Sequence, residues 1–327
     1  MVRASITVES APSPFAVPEA RPIDPAKFRD QLRTANGDAR AHVALERLAT
    51  LWINTGTLCN LACRTCYIES SPTNDALVYI RLDEAEAFLD EAQLLGTREI
   101  GFTGGEPFMN PDMLAMLRSA LARGFDVLVL TNAMRPMRRF DVELDALRAE
   151  LGARLTMRVS LDHYTRGLHE AERGPRSWDK AIDGVKFLSD HGFRTAIAGR
   201  RLAGESEAAA RAGYAVLFAE HGLRINAADP AALVLFPEMD ETADVPEISD
   251  ACWGILGVAP SSMMCASSRM VVKRKGEARP VVVACTLIPF DDRFALGETL
   301  DEARHPIALN HPHCARFCVL GGASCTA

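Results

Sequence analysis

The stretch Cys59-Asn60-Leu61-Ala62-Cys63-Arg64-Thr65-Cys66 places three cysteines in one eight-residue loop. Three thiolates in so short a loop can hold three corners of a cubane iron–sulfur cluster, and the fourth iron is then left without a protein ligand. A pure electron carrier ligates its cluster with four cysteines, whereas an open metal position is where substrate chemistry takes place. The loop therefore predicts a catalytic cluster held by Cys59, Cys63 and Cys66.

A zinc site and a group of buried free thiols are the other interpretations of this loop. Structural zinc takes four protein ligands, and the nearest further Cys or His in the sequence is the distant His42. Nine cysteines would suggest disulfides in a secreted domain, but here they fall into two groups with the spacing of metal ligands. An iron–sulfur cluster is therefore favoured over both zinc and disulfides.

The bulk composition is that of an ordinary soluble globular protein. Of the 327 residues, 48% are hydrophobic and 24% are charged, and the formal net charge of −7 disfavours non-specific binding to nucleic acid. No segment approaches the roughly 18 consecutive apolar residues that a membrane span requires. Residues 1–20 lack the cationic start and the apolar stretch of a signal peptide. We therefore expect a cytoplasmic protein with no membrane or nucleic-acid partner.

Strand-like and helix-like segments alternate from residue 49 to about residue 236. The strand candidates are Ala49–Thr55, Glu99–Thr103, Asp126–Thr131, Leu155–Leu161, Thr195–Ala198 and Ala232–Phe236. The helix candidates span 83–95, 111 to about 124, 138–150, 177–191 and 205–221. Six such β-then-α units predict an α/β fold with a parallel sheet, as in a partial (β/α)6 barrel. The active site of such a fold lies at the carboxyl ends of the strands, where the cysteine loop follows the first strand candidate.

Three regions are expected along the chain. Residues 1–48 form an N-terminal extension with an irregular, proline-rich lead and a helix around 26–48. Residues 49–240 form the partial barrel. Residues 241–327 break the βα pattern, carry the other six cysteines and are predicted to form a small metal-organised domain.

A second motif, Thr103-Gly104-Gly105-Glu106-Pro107, follows the second strand candidate. Paired glycines let the backbone approach a ligand closely, and Glu106 offers a carboxylate to an ammonium group. By itself this motif is typical of a turn. Directly after a strand that neighbours the cysteine loop, it predicts a binding loop instead.

The two motifs together, over about residues 49–240, resemble the radical S-adenosylmethionine (radical SAM) superfamily. The resemblance implies a 4Fe–4S cluster on the three cysteines whose open iron chelates the amino and carboxylate groups of the methionine part of SAM. One electron from the reduced cluster then breaks the S–C5′ bond and gives a 5′-deoxyadenosyl radical. In that family the Gly-Gly-Glu-Pro motif contacts the methionine amino group, which implies cofactor-binding roles for Gly104, Gly105 and Glu106.

Further contacts to SAM are implied by the same resemblance, with a structural capping role as the alternative for each. Asn132 ends the third strand candidate, in a Thr-Asn pair that resembles the family's Thr-Asn-Gly with Ala133 in place of the glycine. Ser160 and Asp162 end the fourth strand candidate, where relatives often contact the ribose or the substrate. The catalytic residues stay unknown at this point.

Three other residues near the predicted mouth have open roles. The family usually has an aromatic residue just before the third cysteine, but this chain has Thr65, and Tyr67 is expected to contact the adenine side instead. His163 is a weak candidate for an acid–base group. Arg200 closes the fifth strand candidate and could meet a carboxylate.

The C-terminal cysteines resemble the SPASM and shorter twitch extensions of radical SAM enzymes, which hold auxiliary 4Fe–4S clusters. They are Cys252, Cys265, Cys285, Cys314, Cys318 and Cys325. A two-cluster extension usually needs more cysteines, so one auxiliary cluster is expected. The predicted ligands are Cys265, Cys285, Cys314 and Cys318, with Cys325 as the substitute ligand and Cys252 as a small buried side chain.

The leading hypothesis is a SAM-dependent radical enzyme that abstracts hydrogen from an unactivated carbon of a small-molecule substrate, with the auxiliary cluster as electron relay. A flavodoxin- or ferredoxin-type protein is the expected electron donor. The first alternative is a maturase of a ribosomally made peptide, although about 48 residues before the first strand candidate are few for a peptide-binding domain. A non-enzymatic iron–sulfur redox protein and a structural zinc module are alternatives from other classes.

Overall fold

Near-continuous apolar runs form the centre of the fold, as expected of parallel strands that are covered on both faces. The computed structural model describes residues 13–238 and 240–322. Its strands are β1 (His42–Val43), β2 (Thr50–Asn54), β3 (Glu99–Thr103), β4 (Asp126–Thr131), β5 (Leu155–Ser160), β6 (Arg194–Arg200), β7 (Leu233–Phe236), β8 (Ser268–Val272), β9 (Val281–Val283), β10 (Ala295–Gly297) and β11 (Ile307–Ala308).

Amphipathic segments between the strands form the helices. These are α1 (Leu82–Leu94), α2 (Met113–Ala122), α3 (Arg135–Arg138), α4 (Asp141–Leu151), α5 (Arg166–Arg173), α6 (Ser177–Asp190), α7 (Glu207–Glu220) and α8 (Ala251–Leu256). Short 3₁₀ turns and one π-helical segment, Cys314–Val319, complete the secondary structure. Within the described ranges, no helix has both the length and the apolar character that a membrane crossing needs.

The six strands β2 to β7 pair in parallel in chain order, which confirms the predicted α/β fold. All six lie within a few residues of the candidates read from the sequence. The strands are parallel, so each helix carries the chain back to the amino end of the sheet. The loops that follow the strands therefore meet at the carboxyl end. The cysteine loop follows β2 and the Gly-Gly-Glu-Pro loop follows β3, so the pairing of these two strands brings the two loops together.

A fully buried tryptophan fixes the contact between β2 and β3. Trp52 on β2 has no exposed surface, and its ring lies across the backbone of Gly101 on β3. A Cβ atom at position 101 would lie 2.3 Å from the ring, so any larger residue at this position would separate the strands. The pairing of β2 with β3 is therefore fixed inside the core, and this pairing sets the relative position of the cysteine loop and the Gly-Gly-Glu-Pro loop.

The C-terminal region extends this sheet. Strand β8 pairs in parallel with β2, and β9 and β10 follow it as antiparallel strands on the same edge. The nine-stranded order is β10-β9-β8-β2-β3-β4-β5-β6-β7. The strand that leads into the cysteine loop is therefore flanked on one side by the cysteine-rich C-terminal region.

The predicted helix around 26–48 is wrong. The side chain of Asp30 accepts hydrogen bonds from the backbone N–H groups of Leu32 (2.6 Å) and Arg33 (2.9 Å), which closes a local turn in place of a helical one. Gly37 has a φ of 88° and turns the chain back, so that Arg33 bridges to Ala39. Strand β1 then pairs antiparallel with β11, so the N-terminal segment is tied to the C-terminal region.

Candidate active site

The carboxyl ends of the central strands surround a cavity of about 180 Å³. Most of the predicted site residues line it: Cys59, Cys63, Cys66, Tyr67, Gly104, Gly105, Asn132, Ser160, Asp162 and Arg200. Glu106 and His163 are absent from the lining. The structure therefore brings both sequence motifs to one cavity, and it adds the unforeseen residues Arg158, Glu172 and Arg173 to its wall.

The cysteine loop offers sulfur atoms that are already oriented by the backbone. Cys59 Sγ accepts a hydrogen bond from Leu61 N (3.4 Å), and Cys66 Sγ accepts one from Ser70 N (3.3 Å). Burial raises the pKa of the Cys59 thiol to about 12 and that of Cys63 to about 11. Buried thiolates therefore need a positive partner, and N–H donors to sulfur suit thiolates that ligate a metal cluster. This donor set fits a 4Fe–4S cluster on Cys59, Cys63 and Cys66.

The two glycines of the second motif let the loops pack together. A Cβ atom on Gly105 would lie 2.3 Å from the carbonyl oxygen of Leu58, and one on Gly104, with a φ of 142°, would lie 2.6 Å from that of Gly56. The backbone N–H of Gly105 donates to Gly56 O at 2.8 Å. The sequence predicted that the backbone at these glycines approaches a ligand closely. In the structure it closely approaches the segment that leads into the cysteine loop. The two loops are therefore packed directly against each other.

Glu106 lies behind the cavity wall, where it organises the end of β4. Its carboxylate accepts hydrogen bonds from Thr131 Oγ1 and Asn132 N, both at 2.8 Å, and from Phe108 N at 3.2 Å. Burial raises the pKa of Glu106 to about 7, although these hydrogen bonds act in the opposite direction. The side chain of Asn132 in turn donates to Asn60 Oδ1 at 2.9 Å. The Gly-Gly-Glu-Pro loop, β4 and the cysteine loop are therefore linked through one carboxylate.

Asp162 is engaged by a residue that the sequence analysis missed. Arg173, the last residue of α5, donates from Nε to Asp162 Oδ2 at 2.5 Å, and both side chains are largely buried. Burial raises the pKa of Asp162, but the charge and hydrogen bonds of Arg173 outweigh it and hold the pKa below its usual value. The positive charge of Arg173 also acts against the burial that raises the pKa of Cys63. A buried cation therefore stands beside the cysteine loop, on a helix that was not predicted.

Breaking this pair is expected to destabilise the fold. Asp162→Asn leaves Arg173 buried without its counter-charge, which typically costs about 3–5 kcal/mol of unfolding free energy. Because the pKa of Asp162 is lowered, the pair stabilises the protein at neutral pH and this contribution is lost only as the pH falls into the acidic range. Urea denaturation followed by circular dichroism checks the value.

The matched control is Asp179→Asn, which breaks an ion pair with Arg166 whose side chains are 64% and 52% exposed. An exposed pair contributes at most about 1 kcal/mol. Equal losses in the two variants would show that the Asp162–Arg173 pair is no more important to stability than a surface pair.

The two weak catalytic candidates have other roles in the structure. His163 lies outside the cavity lining, because its Nδ1 accepts a hydrogen bond from Thr165 N (3.0 Å) and its ring packs against Tyr164. Arg200 does meet carboxylates, but they belong to the chain itself: Glu172 at 3.2 Å and Glu238. His163 therefore lacks the position expected of an acid–base group, whereas Arg200 lines the cavity and is engaged by two carboxylates of the chain.

A second, smaller pocket contains the four predicted auxiliary ligands. Cys265, Cys285, Cys314 and Cys318 all line it, among Met263, Met264, Ile288, Leu309 and His313. Burial raises the pKa of Cys265 to about 11 and that of Cys314 to about 12, so these thiols too require a cationic partner to ionise. Cys252 lies elsewhere, with its sulfur 3.6 Å from Ser249 Oγ, and Cys325 lies outside the described residues. Four cysteines around an apolar pocket fit one fully ligated cluster.

The two pockets share a wall. Leu287 lines both of them, two residues after Cys285. The π-helical segment Cys314–Val319 directs Cys314 and Cys318 to the second pocket, while Phe317 lines the first. The Phe317 ring stacks on Phe236, with centroids 5.6 Å apart. The auxiliary cysteines thus lie directly behind the wall of the cavity.

Three side chains next to the second pocket have the spacing of metal ligands, but their hydrogen bonds explain the arrangement without a metal ion. The ligand atoms of Glu241, His311 and His313 lie within 4.8 Å of one another. His311 Nδ1 accepts a hydrogen bond from His313 N (3.1 Å), so the neutral ring carries its proton on Nε2, which faces Glu241 at 3.5 Å. A metal-ligating histidine instead donates from its second nitrogen. This group is therefore a hydrogen-bonded histidine–glutamate contact.

Comparison with known proteins places this arrangement in a family. Residues 53–204 match the family model of the radical SAM superfamily. Residues 53–204 are therefore a radical SAM domain. The chain is 31% identical over 141 residues, 43% of this chain and 30% of the relative, to the antilisterial bacteriocin subtilosin biosynthesis protein AlbA of Bacillus subtilis (strain 168). It is 29% identical over 182 residues, 53% of this chain and 45% of the relative, to GTP 3′,8-cyclase 1 of Mycobacterium tuberculosis.

The matched part of this chain spans 30% of the length of AlbA and 45% of the length of GTP 3′,8-cyclase 1. Among solved structures, Streptococcus suis SuiB bound to precursor peptide SuiA is similar with a TM-score of 0.58, at 14% identity, over 80% of this chain and 65% of SuiB. At this identity the likeness establishes the fold alone. The radical SAM domain makes the chain an enzyme and leaves its reaction type open.

Proposed function

We propose that this radical SAM enzyme cleaves S-adenosylmethionine reductively and abstracts hydrogen from an unactivated carbon of its substrate. The observation that carries the proposal is the convergence of the three thiols and the Gly-Gly-Glu loop on one cavity backed by four further cysteines. When bound, a 4Fe–4S cluster on Cys59, Cys63 and Cys66 supplies an electron to the sulfonium and an open iron to the methionine moiety.

Arg173 is proposed to bind the methionine carboxylate. Its guanidinium is buried beside Cys63, and it uses two donors, Nε and Nη2, for Asp162. A guanidinium presents five N–H donors in a fixed fork, so it can hold Asp162 and a second carboxylate at once. Gly104 and Gly105, which line the cavity, are proposed to receive the amino group, while Glu106 holds their loop from behind through Thr131 and Asn132. Tyr67, Asn132 and Ser160, which also line the cavity, are proposed to contact the rest of the SAM molecule.

The auxiliary cluster is proposed to be an electron relay. Four cysteines line its pocket, so every iron would have a protein ligand and none would be open to substrate. The shared wall at Leu287 supports this role, because an electron acceptor has to lie close to the cavity in which the substrate reacts. The overall reaction would then be a two-electron oxidation or a bond formation.

The wall of the cavity also suggests what part of the substrate enters it. Leu130, Ala198, Phe236, Leu287 and Phe317 supply an apolar surface, so we propose that the reacting carbon belongs to an apolar group. That group would be part of a small molecule or a side chain of a peptide. The similarity to AlbA favours a peptide, whereas the similarity to GTP 3′,8-cyclase favours a small molecule.

Production of 5′-deoxyadenosine and methionine tests the proposal. The reconstituted chain, reduced anaerobically with dithionite in the presence of SAM, is expected to release both in equal amounts. With a candidate substrate deuterated at the reacting carbon, deuterium is expected in the 5′-deoxyadenosine. Iron-loaded protein that leaves SAM intact would contradict the proposed function and would favour a non-enzymatic iron–sulfur redox protein.

Glu106→Gln is expected to weaken SAM binding by about 1–3 kcal/mol, the scale of losing a charged hydrogen-bond partner. Glutamine presents an N–H group where the carboxylate accepts, so it cannot keep the hydrogen bonds from Thr131 Oγ1, Asn132 N and Phe108 N that hold the binding loop. Equilibrium dialysis with the reconstituted protein measures the change. Glu99→Gln, at the other end of β3, is the matched control, and equal affinities in both variants would assign Glu106 a purely structural role.

A further inference from the structure

Thr65, between the second and third cysteines of the loop, is held by one buried glutamate. Glu172 on α5 is 2% exposed, and its Oε1 accepts hydrogen bonds from Thr65 N (2.8 Å) and Thr65 Oγ1 (2.5 Å). The backbone N–H of Arg64 donates to the carbonyl of Glu172 at 3.0 Å. Three hydrogen bonds therefore attach the segment between Cys63 and Cys66 to a single residue more than 100 positions away.

Arg200, at the end of β6, completes this arrangement. Its Nη1 donates to Thr65 Oγ1 at 2.5 Å and lies 3.2 Å from Glu172 Oε1, and its Nη2 donates to Glu238. The Thr65 hydroxyl thus accepts from the arginine and donates to the glutamate. Only a residue with a hydroxyl group can do both in so small a space.

The N-terminal segment covers the outer side of this group. Ser13 Oγ donates to Glu172 Oε2 at 2.9 Å, so both oxygens of that carboxylate have partners. The Phe15 ring is buried, with the Arg200 guanidinium 4.5 Å from its centroid. The charged groups are therefore shielded from water. Hydrogen bonds to charged groups are stronger in such surroundings than in water.

We propose that Thr65, Glu172 and Arg200 form a clamp that fixes the cysteine loop against the ends of α5 and β6, with Thr65 as a positioning residue. Its role toward the SAM-binding cluster rests on the proposed function above. Three thiols must reach one cluster in a single geometry, and the clamp holds the short segment that joins two of them. It also explains why this chain has a threonine at a position where an aromatic residue is expected.

Alkylation of individual cysteines tests the clamp. The reconstituted chain is challenged with an iron chelator and iodoacetamide, and mass spectrometry follows modification at Cys63 and Cys66. The isosteric Thr65→Val removes the hydroxyl and is expected to speed modification at both by roughly tenfold, the scale of losing a hydrogen bond to a charged group. Thr65→Ser keeps the hydroxyl and is expected to stay within about twofold of the unmodified chain.

Cys265 and Cys314 of the second pocket are internal controls in the same molecule. Their rates are expected to be unchanged in Thr65→Val and in a second variant, Arg200→Lys, which keeps the charge but loses the planar fork. An unchanged rate at Cys63 and Cys66 in both variants, or equal acceleration at all four cysteines in both, would overturn the clamp. This readout needs no SAM cleavage, so failure of the proposed function and failure of the clamp are distinguished.

A second readout connects the clamp to the cluster. The dissociation constant of SAM and the EPR spectrum of the reduced cluster are measured for Thr65→Val and Thr65→Ser. The valine variant is expected to bind SAM more weakly, by roughly tenfold, and to show an altered cluster spectrum, whereas the serine variant restores both. Identical spectra and affinities in the two variants would overturn the positioning role.

Discussion

Cys63→Ala is expected to abolish SAM cleavage while the auxiliary cluster stays in place. Two cysteines cannot hold a cluster in a site built for three, so iron content should fall from about eight to about four atoms per chain. Cleavage of SAM should decrease by at least about a thousandfold, since the uncatalysed reaction lacks the whole acceleration that the enzyme supplies. Iron analysis and chromatographic measurement of 5′-deoxyadenosine check both numbers.

Cys252→Ala is the matched control for this experiment. Cys252 is a partly buried cysteine that lines neither pocket, so its loss should leave both iron content and SAM cleavage unchanged. Retained cleavage in Cys63→Ala, at the level of the Cys252→Ala control, would refute the assignment of the loop. Loss of all iron in Cys63→Ala would mean that the two groups of cysteines do not form independent sites.

Cys314→Ala is expected to have the second-largest effect, on turnover of substrate. It removes a half-buried predicted ligand from the second pocket, so about four irons should be lost while the signal of the SAM-binding cluster remains. SAM cleavage without substrate should stay within about twofold, because the three thiols of the first cavity are untouched. Product formation should cease if the auxiliary cluster is the electron relay.

Cys325→Ala separates the two ligand sets that the sequence allowed. If Cys265, Cys285, Cys314 and Cys318 are the ligands, this variant keeps its iron and its activity. Loss of about four irons in Cys325→Ala, with iron retained in Cys265→Ala, would show that Cys325 is a ligand of the auxiliary cluster and that Cys265 is not. Full product formation in iron-depleted Cys314→Ala would instead contradict the relay.

The strands were predictable because their signal is local. Buried parallel strands read as continuous apolar runs, and the segment Asp126–Thr131 was identified to the residue. The prediction of a helix around 26–48 was wrong because the turns in this segment and its long-range pairing give no helix-breaking pattern that the sequence analysis recognised. Its residues do not lack helical propensity as a group, but Asp30 and the Asn36-Gly37 pair form turns that compete with a helix. The strand β1 that follows depends on β11, more than 260 residues away, and no local pattern indicates such pairing.

The site shows the same division between local and long-range information. Cysteine spacing is local, so the loop at residues 59–66 could be identified from the sequence alone. The partners of Asp162 and Thr65 could not, because Arg173 and Glu172 lie on a short polar helix whose buried side chains, His169 and Glu172, are themselves polar. A helix of this kind has to be found through its tertiary contacts. The threonine in place of an aromatic residue was the one sequence signal that pointed to this network.

Anaerobic iron and sulfide analysis with EPR of the reduced protein, recorded with and without SAM, tests the central claim most directly. A radical SAM enzyme with one auxiliary cluster predicts about eight irons per chain and one cluster signal that changes when SAM is added. The second signal should not respond to SAM, because the proposed ligation by four cysteines would leave no open iron on that cluster. Protein without iron, or cluster signals that are both indifferent to SAM, would contradict the account.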